Sequence, residues 1–307
     1  MPELPEVETV RRGIAPAMEG RRFLHVEAKR PDLRFPLPEG FTRRLEGQAL
    51  ESLARRGKYL VGRLTDGALL IMHLGMSGRF VVEMPQSAGS GDDMPAARPA
   101  ARPGAFHLDT GANAHALHEH IIFRMEGGGV VRYSDPRRFG FMTIEETGDE
   151  GQNQFLRVLG PEPLEKAFKP SVLAAGLHKR KSPIKTALLD QAVVAGLGNI
   201  YVCEALFRSG ISPKRVAATL VKQSGEPTDR LKKLHKAIRE VLAEAIEAGG
   251  SSLRDHAQAD GSLGYFQHTF RVYDREGMPC TTLGCDTDIR RITQSGRSTF
   301  YCGKCQR

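Results

Sequence analysis

The chain has 307 residues, and its 44 Lys and Arg exceed its 36 Asp and Glu to give a formal charge of +8. That length accommodates more than one packed unit, and the basic surplus suits a polyanionic partner without requiring one. No run of eighteen apolar residues occurs, which excludes a membrane-spanning helix, and the acidic, proline-broken opening Met1-Pro2-Glu3-Leu4-Pro5-Glu6 is unlike a targeting peptide, so a cytoplasmic address is expected.

After Pro5, apolar residues at Val7, Val10 and Ile14 recur at spacings of three and four, as on one helix face. Pro5 suits the first helical position, Glu6 and Glu8 lie where the helix dipole favours anions, and Pro16 and Gly20 are expected to end the helix. Strand-like segments follow. Phe23 to Glu27 alternates, Tyr59 to Leu64 is apolar with a break at Gly62, and Ala68 to Leu74 is continuously apolar. Phe80 to Val82, Ile121 to Met125 and Val130 to Tyr133 continue the pattern, the last two flanking a Gly127-Gly128-Gly129 turn. An antiparallel, sandwich-like β domain with one leading helix, over residues 1–148, is the simplest arrangement. Residues 85–116, rich in Ala, Gly, Pro, Ser and Asp and without periodicity, read as a mobile insertion between two strands.

From about Gln152 the pattern turns helical, and residues 149–268 are expected to form a helical domain. Ser182 to Val194, Ile200 to Arg208 and Pro213 to Leu220 are candidate helices. The clearest is Asp229 to Ala248, where Leu231, Leu234, Ile238, Val241, Leu242 and Ile246 make one stripe, with Thr228 or Asp229 as cap and Gly249 as stop. The tail, 269–307, reads as two short β-hairpins, making the whole an α+β multidomain protein.

Cys280-x4-Cys285 and Cys302-x2-Cys305 lie sixteen residues apart in that tail. Two close pairs on adjacent turns can converge on a tetrahedral zinc, and so short a tail has too little core to fold unaided. One structural zinc ion per chain is therefore expected. Two disulfides, or four free thiols, are the rival reading, disfavoured without an export signal. Cys203 reads as a small buried side chain on a helix. Arg290, Arg291, Arg297 and Lys304 suit a phosphate-facing finger or an ordinary solvated surface.

Several motifs coincide in order along nearly the whole chain. They are Pro2-Glu3-Leu4-Pro5-Glu6-Val7-Glu8-Thr9, Gly57-Lys58-Tyr59, His73-Leu74-Gly75-Met76-Ser77-Gly78-Arg79 and Asp135-Pro136-Arg137-Arg138-Phe139-Gly140. Gly196-Leu197-Gly198-Asn199-Ile200-Tyr201, Gly264-Tyr265-Phe266-Gln267 and Arg297-Ser298-Thr299-Phe300-Tyr301-Cys302 complete the set. Together they resemble the bacterial formamidopyrimidine-DNA glycosylases. Two departures stand out: the first cysteine pair is separated by four residues where the family usually has two, and the 85–116 insertion is longer than the family pattern leads one to expect.

The resemblance implies a monomeric, nucleoid-associated base-excision enzyme acting on double-stranded DNA that contains oxidised purines or abasic sites. It implies that the α-nitrogen of Pro2, freed by removal of Met1, attacks the sugar and forms an iminium ion, with Glu3 as the acid at the sugar and Glu6 beside it in the lesion pocket. An α-amine titrates near 8; the helix start would favour its neutral form, while Glu3 and Glu6 oppose that. Lys58 corresponds to the ammonium assisting base departure and β-elimination, and Arg297 to the group credited with δ-elimination. Met76, Arg137 and Phe139 match residues that fill the gap left by an everted base, although by sequence alone Met76 and Phe139 read rather as core packing. Gly196-Leu197-Gly198-Asn199 resembles the turn of a helix-two-turns-helix motif, with glycines letting backbone amides approach an anion, and His118, Arg180 and Lys185 match further DNA-contacting positions. The polar loop from Ser251 to Ser262 corresponds to the segment over the flipped base. Two alternatives remain: an endonuclease VIII-like glycosylase for oxidised pyrimidines, and a catalytically silent zinc-containing DNA-binding protein. The Leu4 to Thr9 run disfavours the first, and the joint presence of Pro2, Glu3 and Lys58 the second.

Overall fold

The computed structural model describes residues 2–85, 118–146, 148–251 and 264–307; most of the 85–116 insertion and of the Ser251–Ser262 loop lies outside the described residues. Helix α1 (Leu4–Met18) starts on Glu3, whose backbone N–H donates to Glu6 Oε2 at 2.8 Å while the Glu3 side chain accepts from the Glu6 backbone. This reciprocal cap satisfies two of the amides that a helix start leaves unpaired. The helix passes through Pro16 rather than stopping there, because a proline in the last turn forfeits one hydrogen bond and Glu19 N–H still reaches Ala15 O at 2.8 Å.

Among the described residues, eight antiparallel strands follow: β1 (Arg21–Ala28), β2 (Ala49–Arg56), β3 (Tyr59–Leu64), β4 (Leu69–His73), β5 (Arg79–Glu83), β6 (Glu119–Met125), β7 (Val130–Ser134) and β8 (Phe141–Glu145). A short helix, α2 (Phe41–Leu45), separates the first two, and the spatial order is β5-β7-β6-β1-β2-β3-β4-β8. Strand β1 is shared. Arg21 and Arg22 pair with β2, Phe23 to Ala28 pair with β6, and the register shifts between Phe23 and His25. That irregularity lets the ribbon turn into two facing layers, a β-sandwich, around a core of Phe23, Leu50, Leu60, Leu70, Phe80 and Phe123. The apolar face of α1, Val7, Val10, Ile14 and Met18, closes the same core. Strands β3 and β4 are apolar on both faces, apart from exposed Arg63, because both faces are covered: Val61, Leu69 and Ile71 pack on Leu156.

The helical part comprises α3 (Pro170–Leu177), α4 (Ile184–Leu189), α5 (Asn199–Arg208) and α6 (Asp229–Glu247). Thr228 caps α6 by accepting from Leu231 N–H at 3.3 Å, and Gly249, at φ 74°, ends it. The helix expected over Pro213 to Leu220 shrinks to a 3-10 turn at Ala217–Leu220. Its backbone is used elsewhere: Ile184 N–H reaches Arg215 O at 2.7 Å and Ala217 N–H reaches Ser182 O at 3.0 Å. The Ser182–Val194 helix is likewise cut to α4, since the Asp190 side chain takes the Ala192 N–H and turns the chain.

Of the two hairpins expected in the tail, one forms, from β9 (Ile289–Gln294) and β10 (Arg297–Cys302); the first cysteine pair sits on a loop with a single bridge between Pro279 and Asp288. The tail docks on α5, where Cys203 and Phe207 join Val272, Ile289 and Phe300 in one small core. Cys203 is thus the buried helix residue expected, and burial pushes its thiol up to about 11. Buried Glu204, also on α5, accepts the backbone N–H groups of Arg271, Val272 and Tyr273 at 2.9–3.1 Å, so one carboxylate fixes the entry to the tail.

Candidate active site and metal-binding cluster

The chain start is held between the two larger parts of the molecule. Leu4 belongs to the core of the helical part although its helix caps the sandwich, and Leu4 N–H donates to Gly196 O at 3.1 Å. Glu3, only 4 % exposed, accepts the N–H of Ile200 in the first turn of α5 at 3.0 Å. A Cβ on Gly198 would lie 2.2 Å from Glu3 Cδ, and one on Gly196, at φ +79°, 2.8 Å from Leu4 Cβ. These glycines therefore make room for α1, and the protein's own Glu3 carboxyl group is seated at the α5 N-terminus.

Pro2 is buried beside this junction. Burial raises the Glu3 pKa, opposed by the Lys58 charge and reinforced by Glu6. The Lys58 pKa is lowered, first by burial, against the pull of Glu3 and with repulsion from Arg297. Low polarity thus drives acid and amine alike toward their neutral forms. Glu3 Oε2 is buried without a hydrogen-bond partner in this structure. Glu6 is committed to the protein: it accepts from the Tyr201 hydroxyl, from Ser251 N–H at 2.8 Å and Ser251 Oγ at 2.9 Å, and from Glu3 N–H.

Lys58 lies on the β2–β3 turn and lines a cavity of about 140 Å³ with Tyr59, His73, Leu189, Gln191 and Arg297. Buried Glu162, just past the sandwich, fixes that turn by accepting from Gly57 N–H at 2.5 Å and from Arg55 and Arg56, each at 2.8 Å. Arg297 comes from the opposite end of the chain. Two side chains bracket its strand by donating to Ser298 O: Lys185 Nζ at 3.0 Å and Asn199 Nδ2 at 2.9 Å. Lys185, expected at a DNA surface, is instead completely buried, and its ammonium also reaches Thr299 Oγ1 at 2.7 Å. Arg180 pairs with Asp190 at 2.7 Å, and His118 is exposed beside Asp135, whose N–H it accepts through its backbone carbonyl at 3.0 Å.

Met76 and Phe139 are 37 % and 42 % exposed, which removes the core reading of both. They line a second cavity, of about 540 Å³, with Arg137, whose guanidinium lies 4.9 Å from the Phe139 ring centre. Fully buried Asp135 holds these loops together by accepting from Ser77 Oγ at 2.5 Å and Gly140 N–H at 2.8 Å, while Ser77 Oγ accepts Arg137 N–H at 3.2 Å. A Cβ on Gly75, at φ +63°, would lie 2.2 Å from the Phe139 carbonyl carbon, so only glycine permits this approach. His73 walls both cavities. Burial lowers its pKa to about 4, and its Nδ1 accepts from Gly75 N–H at 3.0 Å, so neutral His73 presents Nε2–H as a donor. Its motif was visible in the sequence but its place between the cavities was not; Asp135 and Tyr201 were likewise seen only as motif members, and Glu162 lies in no motif.

In the tail, all four cysteines are unpaired, and their sulfurs lie within 4.8 Å of one another. Cys280 Sγ and Cys305 Sγ are 3.8 Å apart, and Cys285 Sγ and Cys302 Sγ 3.7 Å. A tetrahedron with metal–sulfur bonds of about 2.3 Å has edges of about 3.8 Å, so the set fits a metal ion and is too open for disulfides.

Residues 1–142 match the model of the formamidopyrimidine-DNA glycosylase N-terminal domain, and residues 159–257 that of the formamidopyrimidine-DNA glycosylase H2TH domain. The chain is 53% identical to the formamidopyrimidine-DNA glycosylase of Bradyrhizobium sp. (strain ORS 278) and 54% identical to that of Rhodopseudomonas palustris (strain BisB18), each over 307 residues covering 100% of both chains. Among solved structures it resembles the MutM (Fpg) protein of Thermus thermophilus, with a TM-score of 0.77 and 36% identity over 99% of this chain and 98% of that one. It also resembles Lactococcus lactis Fpg in complex with abasic-site DNA, with a TM-score of 0.77 and 32% identity over 99% of each chain.

Because burial raises the Glu3 pKa, the stability this group contributes is present below the ordinary glutamate value of about 4.3 and lost as pH rises through the raised one. Glu3→Gln is therefore expected to melt above the parent at about pH 8, the gain vanishing near about pH 4; equal melting at the higher pH contradicts this. Stripping metal with a strong chelator should release one ion per chain and expose tail amides to hydrogen exchange while the sandwich stays protected. Unchanged protection of residues 270–307 would show that the sulfurs do not depend on a metal.

Proposed function

The chain belongs to the formamidopyrimidine-DNA glycosylase family, and on that basis we propose that it excises oxidised purines such as 8-oxoguanine and formamidopyrimidines from duplex DNA and then nicks the strand as an AP lyase. The single observation that carries this reading is the buried pairing of Glu3 and Lys58, with opposite pKa shifts, at the start of a chain whose next residue inward from Met1 is Pro2.

With Met1 removed, the neutral imino nitrogen of Pro2 attacks C1′ of the everted nucleotide. The nitrogen–carbon bond forms as the glycosidic bond breaks, and the base leaves with that electron pair and a proton. Glu3, whose hold on a proton burial strengthens, gives a proton to O4′ as the C1′–O4′ bond opens, leaving an iminium ion. Lys58, whose lowered pKa makes it a usable base, serves proton transfer in base departure and in loss of the 3′ phosphate, and Arg297, across the same cavity, serves the 5′ phosphate. Met76, Arg137 and Phe139 occupy the vacated stack, the guanidinium facing the orphaned base. Asn199, Arg180 and His118 lie on the DNA side in this reading, and Glu6 shapes the lesion pocket through Tyr201 and Ser251.

Three modules share the work: 1–148 carries the chemistry, 149–268 the helix-two-turns-helix, and 269–307 a finger in which Cys280, Cys285, Cys302 and Cys305 bind one structural zinc ion. No helix among the described residues is long and apolar enough to cross a membrane. The reading places the protein as a monomer on cytoplasmic, nucleoid DNA.

Presented with duplexes carrying 8-oxoguanine or thymine glycol in competition, the protein is expected to process the purine lesion first, and Lys58→Ala to slow its excision by about a hundredfold or more. Preference for thymine glycol, or full excision without Lys58, overturns the assignment.

A further inference from the structure

His73 is the common wall of two cavities, and cations stand on both sides of it. Lys58 and Arg297 line one; Arg34, Arg137 and Arg138 line the other, whose described lining contains no carboxylate. Arg34 lies on the loop between β1 and α2 and has no part in any of the roles above. Its backbone N–H donates to Gly140 O at 3.0 Å, which pins the loop to the one that bears Phe139. Its neighbours anchor it from below: Leu33 is buried, and Phe35 packs edge-on against Phe141, with centroids 5.4 Å apart.

The guanidinium is left outward-facing, 5.4 Å from the Phe35 ring centre, and forms no ion pair among the described residues. Asp32, the nearest acid along the chain, is taken by Arg30 at 2.7 Å. Arg34 is nonetheless close enough to the site for its charge to help depress the pKa of His73 and, more weakly than burial raises it, that of Tyr59. A cation held on a packed loop, without a counter-ion among the described residues and beside a neutral donor that leads to Lys58, is complementary to a chain of anions rather than to a single base.

We propose that Arg34 binds a DNA backbone phosphate flanking the everted nucleotide, extending the row of donors that runs from Arg297 and Lys58 past His73. The inference rests on the repair function proposed above and adds a contact to it. Arg34 then acts on how tightly and in what register the duplex is held, not on bond breaking.

The test is the salt dependence of binding to a duplex with a tetrahydrofuran abasic analogue, for the unmodified protein, Arg34→Ala and Arg34→Lys, with cytosine or adenine opposite. Loss of one phosphate contact should lower the slope of log affinity against log salt by about 0.9 for Arg34→Ala, equally for both opposite bases, while Arg34→Lys keeps the slope. The melting temperatures of both variants should match the parent. An unchanged slope and affinity in Arg34→Ala, or a loss confined to one opposite base, overturns the proposal. Failure of the unmodified protein to excise 8-oxoguanine would instead sink the repair function itself, so the two failures are distinct.

Discussion

The structure depends on one buried contact: the Glu3 carboxylate seated on the first turn of α5, against a glycine that leaves no room for a side chain. It fixes where the chain begins. Because α1 completes the sandwich core while Leu4 enters the helical core, this contact also sets how the two parts meet. A carboxylate in such a place is costly to desolvate, and the helix N-terminus, the Ile200 N–H and nearby Lys58 only partly offset that cost. The remaining imbalance keeps the acid ready to hold a proton, which is the state its proposed chemistry requires.

Rigidity is distributed to match. The turn bearing Lys58 is clamped by Glu162 through two arginines and a backbone amide, and the strand bearing Arg297 by Lys185 and Asn199. Glu6 spends its oxygens on Tyr201 and Ser251, tying α1 to the segment that follows α6. In contrast, Met76, Arg137 and Phe139 are exposed on loops, yet those loops hang from a single buried carboxylate, Asp135. Exposed apolar tips on a stiff base suit insertion into another molecule better than packing into their own.

Much of this was legible in the sequence where the cause is local. The stripe on α6, its Thr228 cap and the four-cysteine spacing each follow from residues a few positions apart, and each is found. Strand β2 was not: its buried Leu50 and Leu53 sit three apart because the register shifts between Leu50 and Ser52, so the alternation that marks a strand is broken. The Pro213–Leu220 segment looked helical but gave its hydrogen bonds to residues 182–184. Motif residues were visible as motifs while their partners were not, since Gly57 meets Glu162 105 positions away and Lys185 meets Thr299 114 away. Nothing local says that a lysine is buried or that a glycine pair serves the protein's own acid.

The chemistry turns on which nitrogen joins the sugar. Borohydride reduction of the protein with 8-oxoguanine duplex, followed by peptide mapping of the adduct by mass spectrometry, decides this directly. The expected result is a modification on a peptide that begins at Pro2. An adduct on Lys58, or on a chain that still carries Met1, would contradict the central claim.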